Sequence, residues 1–196
     1  MITYTTSKTD EDFIGIQALQ KANLPHNLTE SEMESQGFVT VVHTVEDLKK
    51  LNAYEKHLVI KDNGLIVGYL LAMTKNSRND IPVLIPMFHL FDTISYKGKL
   101  VSEYNYLVVG QVCIDKDYRG LGLMDKSYAA YKANFKNKYD FAITEISVNN
   151  IRSIKAHKRI GFVEINTYRD ANNLDWRVVI WDWNDPGETN DATYIR

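Results

Sequence analysis

Between residues 105 and 183, β-rich apolar runs alternate with helical periodicity, and this alternation constrains the chain more than any other feature. A valine-rich run at 105–114 precedes a stretch at 120–136, where Met124, Tyr128, Tyr131 and Phe135 recur at steps of four, three and four. That spacing predicts an amphipathic helix. An apolar run at 141–148 follows, then a short helical stretch at 150–160 closed by Gly161, then two β-rich runs at 162–167 and 176–183. Strands joined through helices imply a partly parallel sheet.

The first hundred residues read less regularly. A short strand is expected at 2–6 and a helix at 10–22, the latter carrying Phe13, Ile16 and Leu19 on one face. Leu24 and Pro25 end it, because a residue before proline is pushed out of the helical region. A second helix is expected at 29–36, closed by Gly37, and then a β-rich run at 38–43. Thr44 and Asp47 have the spacing of a capping box for a third helix reaching about Leu51. Runs at 58–61 and 65–73 flank Asn63-Gly64, the pair that a tight hairpin turn requires. Residues 74–104 read as a loop, a short helix and a turn at Lys97-Gly98-Lys99. Their aromatic residues Phe88, Phe91, Tyr96, Tyr104 and Tyr106 are expected mainly in the core.

Composition excludes several classes. The 196 residues suit one domain, expected at 1–183 with a polar tail at 184–196. Hydrophobic residues at 44% and charged residues at 24% are ordinary globular values, which disfavours disorder or a coiled coil. A net charge of −2 argues against a nucleic-acid partner. The longest near-apolar stretch, Leu65–Met73, falls far short of the ~20 residues of a membrane span. One cysteine permits no internal disulfide, and no Cys/His cluster has zinc spacing, so no metal is expected. Without a basic segment and apolar run at its start, the chain is expected to be cytoplasmic.

Chemistry concentrates in two stretches. In the first, the apolar run ending Val112-Cys113-Ile114 leads through Asp115-Lys116-Asp117-Tyr118-Arg119 into Gly120-Leu121-Gly122-Leu123-Met124, where a helix opens. The first amides of a helix lack internal partners, and glycines let a bulky anion approach the backbone. Together these describe a phosphate or diphosphate cradle. It is not a Walker loop, since no Gly-Lys-Ser/Thr follows, and the third glycine of a dinucleotide fingerprint is missing. In the second stretch, Asn150-Ile151-Arg152-Ser153-Ile154-Lys155-Ala156-His157-Lys158-Arg159-Ile160-Gly161-Phe162, Asn150 can cap the helix and Gly161 can close it.

Taken together, the two stretches resemble the GNAT superfamily of acetyl-CoA-dependent N-acyltransferases. The family pattern is Arg/Gln-x-x-Gly-x-Gly/Ala opening a helix, then Asn-x-x-Ala-x-x-Leu-Tyr-x-Lys-x-Gly-Phe one strand later. The likeness covers about residues 105–167. It implies an α/β (α+β) fold, with a mixed, centrally parallel twisted sheet of about six or seven strands flanked by helices. The implied activity is transfer of an acetyl group from acetyl-CoA to a primary amine by direct attack, with no metal, and a homodimer is common in that family. A CoA-binding sensor that kept the fold and lost catalysis is the alternative. The resemblance places the pantetheine arm of CoA against the backbone of Val112, Cys113 and Ile114. It puts the diphosphate on the amides of Gly120, Leu121, Gly122, Leu123, Met124 and Asp125, with Arg119 leading in, and Asn150 and Ser153 on the pantetheine side. Met124 stands where the family has Gly or Ala, and His157 where it has the Tyr that protonates the leaving thiolate. Residues 115–159 hold ten Lys/Arg and five Asp/Glu, a basic segment suited to an anionic cosubstrate.

An amine attacks only when neutral, so a general base is required. Glu145, the lone carboxylate of an apolar strand, is the first candidate, because burial would raise its pKa. Glu103 is a weaker candidate, and Gln111 could only orient a water or substrate. His157 is the candidate acid. Cys113, in an apolar strand without a visible partner, reads as inert.

Overall fold

The computed structural model describes residues 1–184. The expected tail at 184–196 therefore lies, beyond Asn184, outside the described residues. In chain order the regular elements are β1 (Ile2–Thr6), α1 (Asp10–Ala22), α2 (Glu30–Gln36), α3 (Val45–Tyr54), β2 (Leu58–Asp62) and β3 (Leu65–Met73). These are followed by α4 (Ile85–Phe91), β4 (Ser95–Tyr96), β5 (Lys99–Leu100) and β6 (Tyr106–Ile114). The last are α5 (Leu123–Phe135), β7 (Phe141–Ser147), α6 (Ile151–Ile160), β8 (Val163–Arg169) and β9 (Asp175–Asp182).

Seven strands form one mixed sheet in the order β1-β2-β3-β6-β7-β9-β8. Only the central pair, β6 and β7, runs parallel; the other neighbours are antiparallel. The parallel centre of the expected sheet is thus a single pair, because β9 returns antiparallel beside β7. β4 and β5 form a separate small hairpin, with Lys97 and Gly98 at its positive-φ corner.

Apolar residues on successive positions of β3 go to opposite faces, which is why that strand reads as one apolar run. Tyr69 and Leu71 pack with Phe13, Ile16, Leu19 and Leu48 from α1 and α3. Leu70 and Ala72 pack with Tyr128, Tyr131 and Phe135 of α5. Phe88 and Phe91 of α4 join Tyr106, Val108, Phe141 and Ile143 on the α1 side. Tyr96 and Tyr104 pack against the same cluster, so the middle aromatics belong to the core. Among the described residues no helix is long and apolar enough to cross a membrane.

Local signals locate most element ends. Thr44 accepts from the Asp47 amide and Asp47 accepts from the Thr44 amide, both at 3.0 Å, so a capping box forms with Asp in the usual Glu place. α3 then runs one turn past Leu51, to Tyr54. Asn63 and Gly64 take φ of 48° and 89°, as the hairpin turn demands. α5 begins at Leu123, three residues beyond the expected start, since Gly120 and Gly122 both hold positive φ outside the helix.

One expectation fails. Residues 38–43 join no strand. Their backbone is instead held by side chains: Asn150 donates to the Phe38 carbonyl, Gln111 to that of Val41 and Gln17 to that of His43. The Val39 amide donates to the Asn23 carbonyl at 3.0 Å. An extended segment pinned in this way needs no neighbouring strand to satisfy its polar groups.

Candidate active site

The sheet opens at its centre. β6 and β7 pair only from Tyr106↔Phe141 to Val108↔Ile143. Beyond that point the register of β6 on β3 slips, with Leu70 opposite Val112 but Ala72 opposite Val109. The extra residue is a bulge, and a bulge bends its strand and changes which face each side chain takes. Gly110 sits in it; a Cβ there would lie 2.3 Å from the Met73 sulfur. β6 therefore turns away from β7, and the β6 backbone from Gly110 to Ile114 has no strand on that side.

A groove of about 510 Å³ occupies the opening. Val112, Cys113 and Ile114 line it, as do Arg119, Gly120, Gly122, Leu123, Met124 and Asp125 at the head of α5 and Asn150 and Ser153 of α6. Eleven of the twelve expected binding residues thus meet in one place. Leu121 does not line the groove; its side chain is 60% exposed. Gly120 and Gly122 have φ of 77° and 72° with nothing within 4 Å of a built Cβ, so bare backbone faces open space there. No side chain caps α5, so its leading amides remain available.

Several of these residues carry other duties. The Arg119 guanidinium donates to the Ile114 carbonyl (3.0 Å), to Asn23 (2.6 Å) and to Gln36 (3.3 Å). It ties the end of β6 to α1 and α2 and so shapes the lip of the groove. Asn150 caps α6 through the Ser153 amide and holds Phe38 with its NH2 group. Met124, standing where a smaller residue is usual, packs against the core clusters under α5 as well as lining the groove. The Cys113 thiol is pushed up to about 12 by burial and is inert.

Sequence reasoning missed part of the lining. Arg152 and Lys155 face the groove from exposed positions and form no ion pair among the described residues. Arg159, beside them, is paired with Asp125 at 2.9 Å. In the sequence these two belong to the basic segment 115–159 and differ in nothing from its solvated cations until α6 is placed. Phe38 and Val39 are also lining residues supplied by the pinned segment.

A smaller cavity of about 90 Å³ adjoins the groove and shares Phe38, Val39, Val112, Asn150 and Ser153 with it. Glu145 lines this cavity, accepting a short hydrogen bond from the Tyr168 hydroxyl. Burial raises the Glu145 carboxyl to about 7, against the bond from Tyr168, which lowers it. Gln111 lies opposite, accepting from Tyr69 at 2.6 Å and donating to Val41. His43 lines the same cavity. The Gln20 oxygen accepts from the His43 amide, so the Gln20 NH2 donates to Nδ1 and Nε2 carries the proton. That Nε2 is buried without a partner.

His157 does not have the arrangement of an acid. Its Nδ1 lies 2.8 Å from the Ser153 carbonyl and must donate; its Nε2 lies 2.7 Å from the Tyr128 hydroxyl and accepts. Burial lowers it to about 4, so the ring is neutral and has no free proton to deliver. Glu103, the weaker candidate base, lies away from the opening. It is exposed at the opposite end of β6 from the opening, where its carboxylate accepts from the Leu100 amide at 2.7 Å, and it lines neither cavity. No group of three or more His, Cys, Asp or Glu side chains among the described residues could hold a metal ion.

The sheet thus opens beside the uncapped start of α5, with glycine backbone facing the groove. Residues 25–162 match the model of the acetyltransferase (GNAT) family. The chain belongs to that family. The NatC complex bound to Gag peptide and CoA contains a similar chain, with a TM-score of 0.62 at 13% identity over 92% of this chain and 98% of that one. An N-acetyltransferase from Staphylococcus aureus Mu50 gives 0.59 at 18% identity over 93% and 98%. YncA of Salmonella typhimurium, an acetyltransferase solved with its cofactor acetyl-CoA, gives 0.58 at 16% identity over 94% and 95%. At these identities the likeness shows the fold alone. No curated protein sequence matches the chain.

Proposed function

We propose that the protein moves an acetyl group from acetyl-CoA to a primary amine by direct attack within a ternary complex. The observation that carries this reading is the junction of the two cavities at Val112, with the anion cradle at one end and Glu145 at the other. The residues present fit the cosubstrate. The backbone of Val112 to Ile114 offers strand-like hydrogen bonds, the first amides of α5 suit a diphosphate, and Arg152 and Lys155 add positive charge. Acetyl-CoA supplies an activated thioester.

The chain's own work follows from its geometry. A free alkylamine is almost wholly protonated at pH 7. Glu145, half-ionised near pH 7, accepts the ammonium proton, directly or through one water. A free amide of β6 near Val112 stabilises the developing oxyanion, a contribution of about 3 kcal/mol for a well-placed donor. His157 holds Tyr128 in the core and leaves the thiolate to be protonated by solvent. Incubation with acetyl-CoA and a panel of amines, following free thiol, tests the reading: release that depends on an amine is expected. Thermal stabilisation by acetyl-CoA with no release on any amine would identify a binding protein instead.

A further inference from the structure

The wall of the smaller cavity carries information about the acceptor, on the reading that acetyl transfer to an amine takes place there. Among its lining residues Glu145 is the only carboxylate, and no lysine or arginine joins it. The imidazoles present, His43 and His157, are both neutral. The apolar part of the wall comes from Val41 of the pinned segment, Leu84 and Met87 of the α4 region, Ile146 of β7 and Trp176 of β9. The His43 Nε2–H, a donor that no cation can use, is without a partner, and two of the other polar side chains are engaged within the protein. Gln111 is bonded at both ends, and the Thr144 hydroxyl donates to the Val109 carbonyl at 2.8 Å. Asp170, whose charge reaches Glu145, does not line the cavity; its oxygens accept from the Trp176 indole and from the Asn172 and Leu174 amides.

A second cation brought into such a place finds no carboxylate and loses its water, a cost that an unpaired charge does not recover. An apolar body gains by burial, at about 25 cal/mol per Å². Size sets the other limit. The cavity, at about 90 Å³, is smaller than the ~150 Å³ engineered void that admits benzene. We propose that the acceptor is a compact primary amine with one cationic centre on a small apolar body, and that polyamines and basic peptides are poor substrates.

The test is kcat/KM of the full chain for propylamine and isobutylamine against putrescine and spermidine, at one pH and saturating acetyl-CoA. The apolar monoamines are expected to exceed the polyamines by at least tenfold. Equal or greater activity on putrescine or spermidine overturns the acceptor class while leaving acetyl transfer intact; no turnover on any amine overturns both. Val41→Asp supplies a second reading, because Val41 is only half-buried and its backbone bond from Gln111 survives. The variant should raise the putrescine-to-isobutylamine ratio by tenfold or more. An unchanged ratio in a folded variant removes Val41 from the acceptor wall and overturns the assignment.

Discussion

Glu145 and His157 show how burial acts in opposite senses on two ionisable side chains that line one cavity. Burial lifts Glu145 to about 7 and holds His157 near 4. On the proposed mechanism the first is a base matched to neutral pH; the second is a fixed neutral ring. Glu145→Gln should therefore lower kcat by about 10²–10⁴-fold. It should also flatten the pH profile, which in the parent protein is expected to rise until about pH 7. A profile still rising through pH 7 in the variant would place the base elsewhere. The same shift carries a stability consequence. Because the folded carboxyl binds its proton more tightly than the unfolded one, Glu145 costs stability as pH rises from about 4.5 through 7. Glu145→Gln should consequently be more stable than the parent at pH 8, by thermal denaturation, and match it near pH 4. His157→Phe leaves the Tyr128 hydroxyl without its acceptor and should cost about 1–3 kcal/mol of stability. Because His157 also lines the smaller cavity, KM for the amine is free to shift, but the pH profile should keep its shape; loss of one limb of that profile with the fold intact would restore the histidine as acid.

The elements that bound the site differ in how far they were legible in the sequence. Caps and turns were, because their partners lie within a few residues: Thr44 with Asp47, Asn63 with Gly64, Asn150 with Ser153, Gly161 at the end of α6. The cradle was legible for the same reason, as a strand, two glycines and a helix in one stretch. Residues 38–43 were not, since their partners come from α1, β6 and α6. The bulge at Gly110 was not either, because it exists only in the register against β3. Glu103 and Glu145 are each a single carboxylate in or near a strand, and only their places in the folded sheet separate them, Glu103 at the far end of β6 and Glu145 beside the opening. The cradle itself is testable. Gly122 sits at φ +72° with open space before it, so a tryptophan folds there at about 1–2 kcal/mol of backbone strain while its ring covers the leading amides of α5. Gly122→Trp should keep its secondary structure and lose acetyl-CoA affinity at least a hundredfold by calorimetry. Unchanged affinity would remove the cradle from the binding site.

On the scale of the molecule, three neutral histidines are built into the interior: His43, His57 and His157, each held by burial near 4. Their folded pKa values lie below the unfolded value of about 6.5, so the stability they allow is complete above that pH and is lost as pH falls towards 4. Urea midpoints should decline steeply between pH 6.5 and 4, and a flat dependence across that window would show that these rings charge freely in the fold. His57 has the structural part, with Nδ1 accepting from the Ala72 amide beside the bulge and Nε2 at the Leu48 carbonyl. The sheet opens at its centre between β6 and β7, and the two cavities meet in the gap. The most direct test is a crystal structure with acetyl-CoA bound. The account predicts the diphosphate on the amides of Leu123 to Asp125, the pantetheine arm along Val112, and the thioester facing the cavity that holds Glu145. Acetyl-CoA bound at another surface, with the gap between β6 and β7 empty, would contradict it.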